Sequence, residues 1–419
     1  MIGLCAEHQS DQSSQFDSIQ ENSMTENLKG KRVLFAQRSA KRDGSAISGL
    51  ISVRALLNAG CDVTVVFGHQ GPMLDDYRKL GCQVEIFRHG DWLRPGGIAR
   101  SFRRILKEWK LGHKLASHLP HNEFDLVYVN SLVSMSFAVY AKQRRIPCIW
   151  HVRELFSDVG GEMTIPSFGG KKIVRWLLTR YSTELVTNSI SVEQNVLGDV
   201  SRRRTRVIYN AVDPDKINIG TGSRSLRETL GISDSATVIG VPSTLRPMKG
   251  QEQLIQALPR LLKTFPEAVV VLLGDCNSDY GNHLKNEVSS LGLRKSVFFA
   301  GSLNAMGEFY DICDAVCIPS IAEPFGRVAI EAFYSKRIVI VSDVGGLREI
   351  VQPGKTGLLF ECGNIESLTS KLSWVMENPS ASEEIVENAE RDAHQRFAKE
   401  KYHSGIVAVS QNALESHAD

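Results

Sequence analysis

Residues 31–67, KRVLFAQRSAKRDGSAISGLISVRALLNAGCDVTVVF, carry the pattern that decides the fold. Val33–Gln37 is a short apolar run and reads as a buried strand. A loop with Gly44 and Ser45 follows, then a helical stretch from Ala46 to Asn58, ended by Ala59-Gly60. Asp62–Phe67 is the next strand. Strand, helix, strand at this spacing is a βαβ unit, and such units build parallel sheets covered on both faces.

The alternation runs on through Val84–Phe87, Leu126–Asn130, Pro147–His151 and Leu185–Asn188. A second series begins near Val207, with Thr237–Val241, Ala268–Leu273, Val297–Phe299, Ala315–Ile318, Ile338–Ser342 and Gly357–Phe360. Two such series predict two doubly wound α/β domains, over residues 30–206 and 207–397. A last helical run from Glu383 to about Leu414 closes the chain, and its end, 398–419, is expected to cross back to the first domain. Ligands of open α/β sheets bind beyond the carboxyl ends of the strands, so the site is expected in a cleft between the two domains.

The 419 residues suit two domains, and 42% hydrophobic with 23% charged residues is ordinary for a globular chain. The net charge of +2 hides an asymmetry: 28 basic against 15 acidic residues over 30–206, and 20 against 27 from 207 onward. Residues 1–29 are polar, lack a signal-peptide core and read as a disordered tail. No apolar run reaches the length of a membrane span. Eight scattered cysteines without a CxxC pair suit a reducing, cytoplasmic compartment.

The stretch Pro319-Ser320-Ile321-Ala322-Glu323-Pro324-Phe325-Gly326-Arg327-Val328-Ala329-Ile330-Glu331-Ala332 follows a strand. Pro324 and Gly326 favour a loop, and a helix starting near Gly326 turns free amides and a positive dipole end toward the cleft. Glu323 in the loop and Glu331 in the helix are carboxylate acceptors suited to the paired hydroxyls of a sugar or a ribose. Arg246 and Lys249, in Val241-Pro242-Ser243-Thr244-Leu245-Arg246-Pro247-Met248-Lys249-Gly250, are cationic donors at a strand end and suit a diphosphate. Gly345-Gly346, in Val344-Gly345-Gly346-Leu347-Arg348-Glu349-Ile350, permits close backbone approach after a third strand.

The Glu-x7-Glu spacing within PSxxEPFGxVxIEA resembles the retaining glycosyltransferases of the GT-B fold, in the large family called group 1 or family 4. The resemblance is strong over 236–361 and diffuse in the first domain. It implies two facing Rossmann-like domains with a C-terminal crossover helix. The second domain would bind the donor and the first the acceptor. Glu323 would lie near the donor sugar and Glu331 would hold the ribose. Amides around Phe325 and Gly326 would bind sugar hydroxyls, with Val328 in the same donor-binding set. Lys249 matches the family's phosphate-binding lysine. The family's arginine falls on Thr244 here, with Arg246 its replacement from the neighbouring turn.

In the first domain, Gly44-Ser45 matches a glycine-rich loop over the donor phosphates, with one of the usual glycines present. His151 matches a cleft-facing histidine that contacts the donor sugar. Arg153 and Glu154 are placed on the acceptor side, and Asn210 in a hinge turn. The reaction implied is metal-independent transfer from a nucleotide-sugar, a UDP- or GDP-sugar, to a glycan or lipid-linked acceptor, with no cofactor. An epimerase or phosphorylase on the same fold, and a nucleotide-sugar-binding protein without turnover, stand as alternatives.

Three lookalikes are set aside. Pro353-Gly354-Lys355-Thr356 lacks the upstream glycine of a P-loop. Asp213-Pro214-Asp215 lies in the hinge turn, and no GxGxxG follows the first strand. Residues 94–118 hold seven Arg or Lys against one Glu, with Ile98, Phe102, Ile105, Leu106 and Trp109 on one helical face. Lys171, Lys172, Arg175 and Trp176 form a second basic-aromatic group, and Arg202–Arg204 a third. One reading is a helix packed on the sheet with a solvated basic face. The other is peripheral docking on anionic membrane. No nucleic-acid-binding motif accompanies these charges.

Overall fold

The computed structural model describes residues 27–90, 92–93, 98–119, 123–156, 170–198, 205–217, 223–303 and 306–418. Nearly all of the tail read over 1–29 therefore lies outside the described residues, as do Arg94 and Arg202–Arg204.

The first sheet has seven strands: β1 (Arg32–Gln37), β2 (Asp62–Phe67), β3 (Gln83–Ile86), β4 (Leu126–Val129), β5 (Cys148–Val152), β6 (Glu184–Thr187) and β7 (Thr205–Val207). Their order is β3-β2-β1-β4-β5-β6-β7, and every pairing is parallel. Alternate residues of β1 feed two cores: Val33 and Phe35 on one face, Leu34 and Ala36 on the other. The first face is covered by α1 (Gly44–Asn58) and α2 (Met73–Lys79). The other is covered by α3 (Ile98–His118), α4 (Met135–Arg144) and α5 (Gly170–Tyr181). After β6 comes α6 (Ile190–Val192), which continues as a π-helical turn, Glu193–Leu197.

The second sheet has six parallel strands: β8 (Thr237–Val241), β9 (Ala268–Leu273), β10 (Val297–Gly301), β11 (Ala315–Ile318), β12 (Ile338–Ser342) and β13 (Leu358–Phe360). Their order is β10-β9-β8-β11-β12-β13. Its helices are α7 (Ser223–Leu230), α8 (Gln251–Leu261), α9 (Asp279–Ser290), α10 (Met306–Ile312), α11 (Arg327–Tyr334), α12 (Leu347–Ile350), α13 (Ile365–Glu377) and α14 (Pro379–Arg396). Strand order reverses between β1 and β4 in one sheet and between β8 and β11 in the other. Loops part at those switch points and leave a crevice.

Two boundaries differ from the sequence reading. Val207, read as the start of the second series, ends the last strand of the first sheet, and Ile208 and Ala211 still belong to the first core. The closing helical run is two helices, α14 and α15 (Lys399–Ala418). The break falls at Phe397, whose ring is buried against Tyr209 and Phe325. Burying that ring turns the chain out of α14 and sends α15 across to the first domain. There Tyr402, Ile406, Val409 and Ala413 enter the core beside α1, and the Tyr402 and Ser52 hydroxyls lie 2.6 Å apart.

Candidate active site

Three loops of the second domain converge on one carboxylate. The loop after β8 ends in a 3-10 turn, Pro247–Lys249, closed by Gly250 at φ +64°. A Cβ at Gly250 would lie 1.9 Å from the Pro319 carbonyl oxygen, so only glycine lets this loop touch the one after β11. The Ile321 amide donates to the Met248 carbonyl at 2.8 Å and ties the two together. Across that seam, Lys249 Nζ meets Glu323 Oε2 at 2.7 Å, and the Ser320 hydroxyl donates to the same oxygen at 3.1 Å. The loop after β12 closes from the other side, with the Gly346 amide donating to the Glu323 carbonyl at 2.9 Å. Gly345 sits at φ +51°, and a Cβ there would lie 2.0 Å from that carbonyl oxygen. Sequence 74 residues apart thus forms one ion pair beyond the ends of β8 and β11.

Gly326, at φ +106°, opens α11 without a side-chain cap. Phe325 is buried, not presented to the cleft, and stacks on Tyr209 at 5.9 Å between centroids. Glu331 is also buried: its Oε1 pairs with Arg327 Nε at 3.1 Å, and its Oε2 accepts from the Tyr310 hydroxyl at 2.9 Å. Burial first, and then the Glu331 charge, push the Tyr310 phenol well above its ordinary value, so it stays a donor. Both oxygens of the carboxylate expected to hold a ribose are therefore engaged by the protein. Val328 is half-buried, and its carbonyl accepts from Tyr310 at 3.4 Å. Arg246 and Thr244 are exposed at the loop rim.

Two glutamines that the sequence reading passed over brace these loops. Gln251 Nε2 donates to the Thr244 carbonyl at 2.9 Å and to the Ser243 hydroxyl at 3.0 Å. Gln253 Nε2 donates to the Pro319 carbonyl at 2.7 Å, while its oxygen accepts the Gly363 amide at 2.6 Å. Both are buried in the first turn of α8. Two amide side chains beside Gly250 at a helix start were the available signal.

The first-domain residues stand differently from expectation. His151 is fully buried and does not face the cleft. Its position in β5 points it to the same side as Ile149, toward α1 and α15, where its Nδ1 lies 2.7 Å from the Tyr128 hydroxyl and 3.2 Å from Arg153 Nη2. Burial, and then the Arg153 charge, hold the imidazole well below its ordinary range, so the ring is neutral, and the Arg153 Nη2 donor beside Nδ1 assigns its proton to Nε2. That Nε2 has no partner among the described residues.

Arg153, expected on the acceptor side, is instead a buried joint. It donates to Asn130 Oδ1 at 2.8 Å, Asn210 Oδ1 at 2.5 Å, the Tyr402 hydroxyl at 2.8 Å and Ser52 at 3.3 Å. Glu154 also turns inward, accepting the Leu132 and Arg153 amides at 3.0 and 2.9 Å and the Ser131 hydroxyl. Gly44 is exposed at the start of α1, but the helix is capped by Asp43, whose Oδ1 accepts the Ala46 amide at 2.9 Å. An anion at Ser45 would meet that carboxylate, so this turn lacks the open amides of a phosphate loop. Asp213 and Asp215 are occupied by Lys399, and Asp213 also by Arg54.

The two domains also meet directly. Glu349, four residues past Gly345, accepts the Ile190 amide at 2.8 Å and the Ser191 amide at 2.7 Å. It thereby caps α6 from the opposite domain, where the dipole favours a carboxylate. Beside it the Ser189 hydroxyl donates to the Pro324 carbonyl at 2.6 Å. Arg396 closes the back by donating to the Glu349 and Ile350 carbonyls.

Comparison with known proteins agrees with this architecture. Residues 223–392 match the family model of glycosyl transferases group 1, and residues 50–216 that of glycosyltransferase family 4. An uncharacterized glycosyltransferase of Methanocaldococcus jannaschii, MJ1607, is 30% identical over 249 residues, which cover 58% of this chain and 63% of that protein. The matched stretch thus spans less than two thirds of that relative. The N-acetyl-alpha-D-glucosaminyl L-malate synthase of Bacillus anthracis is 26% identical over 313 residues, covering 73% of this chain and 79% of the synthase. Among solved structures, Anabaena Alr3699/HepE in complex with UDP-glucose superposes with a TM-score of 0.74 at 25% identity, over 90% of this chain and 98% of that one.

Proposed function

The chain belongs to the group 1 glycosyltransferases of the GT-B fold, and we propose that it transfers a sugar from a nucleotide-sugar donor, a UDP- or GDP-sugar, to a glycan or lipid-linked acceptor with retention at the anomeric carbon. The observation that carries this reading is the convergence of three glycine-locked loops on the Lys249–Glu323 pair at the switch point of the second sheet.

Breaking a glycosyl–phosphate bond leaves a diphosphate whose charge must be met where it develops. Lys249, with Arg246 at the rim of the same loop, supplies that charge in this reading. Lys249 and Ser320 hold Oε2 of Glu323, and its Oε1 has no hydrogen bond among the described residues. That oxygen is an acceptor for a hydroxyl of the donor sugar. Amides at the uncapped start of α11 supply the complementary donors. Binding a ribose at Glu331 requires it to exchange Arg327 or Tyr310 for ribose hydroxyls. His151 acts here as a positioning residue, through Arg153. The unpaired cysteines suit a cytoplasmic enzyme.

The test is a thermal-shift screen against nucleoside diphosphates and nucleotide-sugars, starting with UDP and UDP-glucose because Alr3699/HepE was solved with the latter. A nucleotide that binds the native state alone raises the melting temperature. The expected result is a selective shift, lost in Lys249→Ala and weakened in Glu331→Ala, with slow release of free sugar from the same donor. No shift with any nucleotide in a folded sample would overturn the reading. A shift without release or transfer would replace it by a nucleotide-sugar-binding protein without turnover.

A further inference from the structure

Of the apolar stripe of α3, Ile105 packs against the core, but Phe102, Leu106 and Trp109 do not. Ser101, Glu108, Gly112 and Leu115 face inward, and a Cβ at Gly112 would lie 2.7 Å from the Ser136 carbonyl of α4. That close approach fixes the rotation of α3 and turns Phe102, Leu106 and Trp109 outward, with Phe102 68% exposed. On α5 the same holds for Ile173 and for Trp176, 58% exposed. Between the two helices lies an apolar groove of about 280 Å³, lined by Phe102, Leu106, Trp109, Met135, Trp176 and Tyr181. Its rim is uniformly cationic. Arg100, Arg103, Lys107, Lys110 and Lys114 on α3 and Lys171, Lys172 and Arg180 on α5 are exposed. The one acid on either helix, Glu108, is buried and accepts the Gly90 amide.

From this arrangement we infer that α3 and α5 dock the protein on an anionic lipid bilayer, with lipid headgroups on the cationic rim and an acyl chain or its methylenes in the groove. Charge complementarity selects the occupant. Eight exposed cations without an exposed acid match a negative surface. The aliphatic Leu106 and Ile173 beside the rings fit hydrocarbon, and the lining holds no amide or carboxylate side chain to read the edges of nucleobases.

The position also fits. A helix joining two parallel strands of one sheet runs back from the carboxyl end of the first to the start of the second. The first two turns of α3 and α5, which carry Phe102, Ile173 and Trp176, therefore lie at the end of the sheet where the cleft opens. Docked this way, the protein holds its cleft beside the bilayer, where a lipid-linked acceptor would be presented. The acceptor side of this statement rests on the proposed transferase reading; the docking itself does not.

The full chain is floated with vesicles of phosphatidylcholine alone and of phosphatidylcholine mixed with phosphatidylglycerol, and the emission of Trp109 and Trp176 is followed with brominated acyl chains as quenchers. Binding to the mixed vesicles only, weakened by salt and with quenched emission, is expected. Phe102→Ser with Trp176→Ser should lower partitioning at least about ten-fold at unchanged charge. Lys107→Glu with Lys171→Glu should lower it at least about five-fold for each site. All four are exposed positions, and unchanged circular dichroism melts establish that the variants fold. Absence of flotation with anionic vesicles would overturn the inference, as would flotation that survives loss of both aromatics. So would an equal emission change with an RNA homopolymer, or a dimer in sedimentation that Phe102→Ser with Trp176→Ser dissociates. None of these readouts depends on sugar transfer, so the two proposals fail separately.

Discussion

The carboxylate of Glu349 in the second domain accepts the backbone amide of Ser191 in the first at 2.7 Å, across 158 residues of sequence. With the Ile190 amide on its other oxygen, it caps a helix that is not its own. Glu349→Ala should cost about 1–3 kcal/mol of stability by orphaning two amides. Glu349→Gln should recover part of the loss, because its carbonyl oxygen still accepts one of them. Urea unfolding of the three proteins measures this, and an unchanged midpoint in the alanine variant would show that the cap contributes nothing.

Lys249 and Glu323 act as one unit across the loop seam. Lys249→Ala and Glu323→Ala should each lower transfer by about 10²–10³-fold, the range for removing one positioned group that meets developing charge. The double variant should lose little more than either single one, because each substitution already dissolves the pair. Initial rates with a common donor decide it; effects that multiply in the double variant would show that the two residues act independently.

Gly345 and Gly354 both have positive φ, at +51° and +70°, but only Gly345 faces an obstacle, the Glu323 carbonyl. Gly354→Ala should cost about 1–2 kcal/mol, the strain of a left-handed alanine. Gly345→Ala must also displace the Glu323 backbone, so it should lose more stability and weaken nucleotide binding, whereas Gly354→Ala should bind normally. Equal nucleotide affinity in the two variants would contradict the account of the loop.

His151 is held well below its ordinary value of 6.5 by burial and then by Arg153, and His403 is lowered in the same direction. As pH falls through 6.5, the unfolded chain takes up protons that the native rings refuse. Stability is therefore full above 6.5 and declines below it, by up to about 1.4 kcal/mol per pH unit for each histidine. His151→Gln keeps an acceptor for Tyr128 and removes one titration, so it should flatten the decline between pH 7.5 and 5.5. Parallel slopes for the two proteins would rule out a neutral buried imidazole at this position.

The strands were legible because a strand buried on both faces must be apolar at every position, as in Ala268–Leu273. The loops of the second domain were legible because their glycines and charges serve backbone conformations and ion pairs that tolerate few substitutes. What escaped notice depends on direction or on distant partners. Periodicity placed Phe102 and Trp109 on one face of α3 but could not say that Gly112 would turn that face outward. The break at Phe397 carries no glycine or proline, since its cause is the ring of Tyr209 nearly two hundred residues earlier. His151 reads as the end of a strand, but β5 runs on to Val152, and the alternation that buries Ile149 carries His151 under α1 and α15 rather than into the cleft.

The chain passes between the domains twice, once near Tyr209 and once at Phe397, and these two rings touch with centroids 5.9 Å apart. Two attachments set side by side behave like the knuckles of a door hinge, allowing swing about the line through them while resisting twist and sliding. Phe325 rests on both rings, so the loop that carries Glu323 sits beside the pin. Points near a pin travel least when a door moves. Any opening of the cleft therefore sweeps the far rim through a wide arc and leaves the neighbourhood of Glu323 almost stationary.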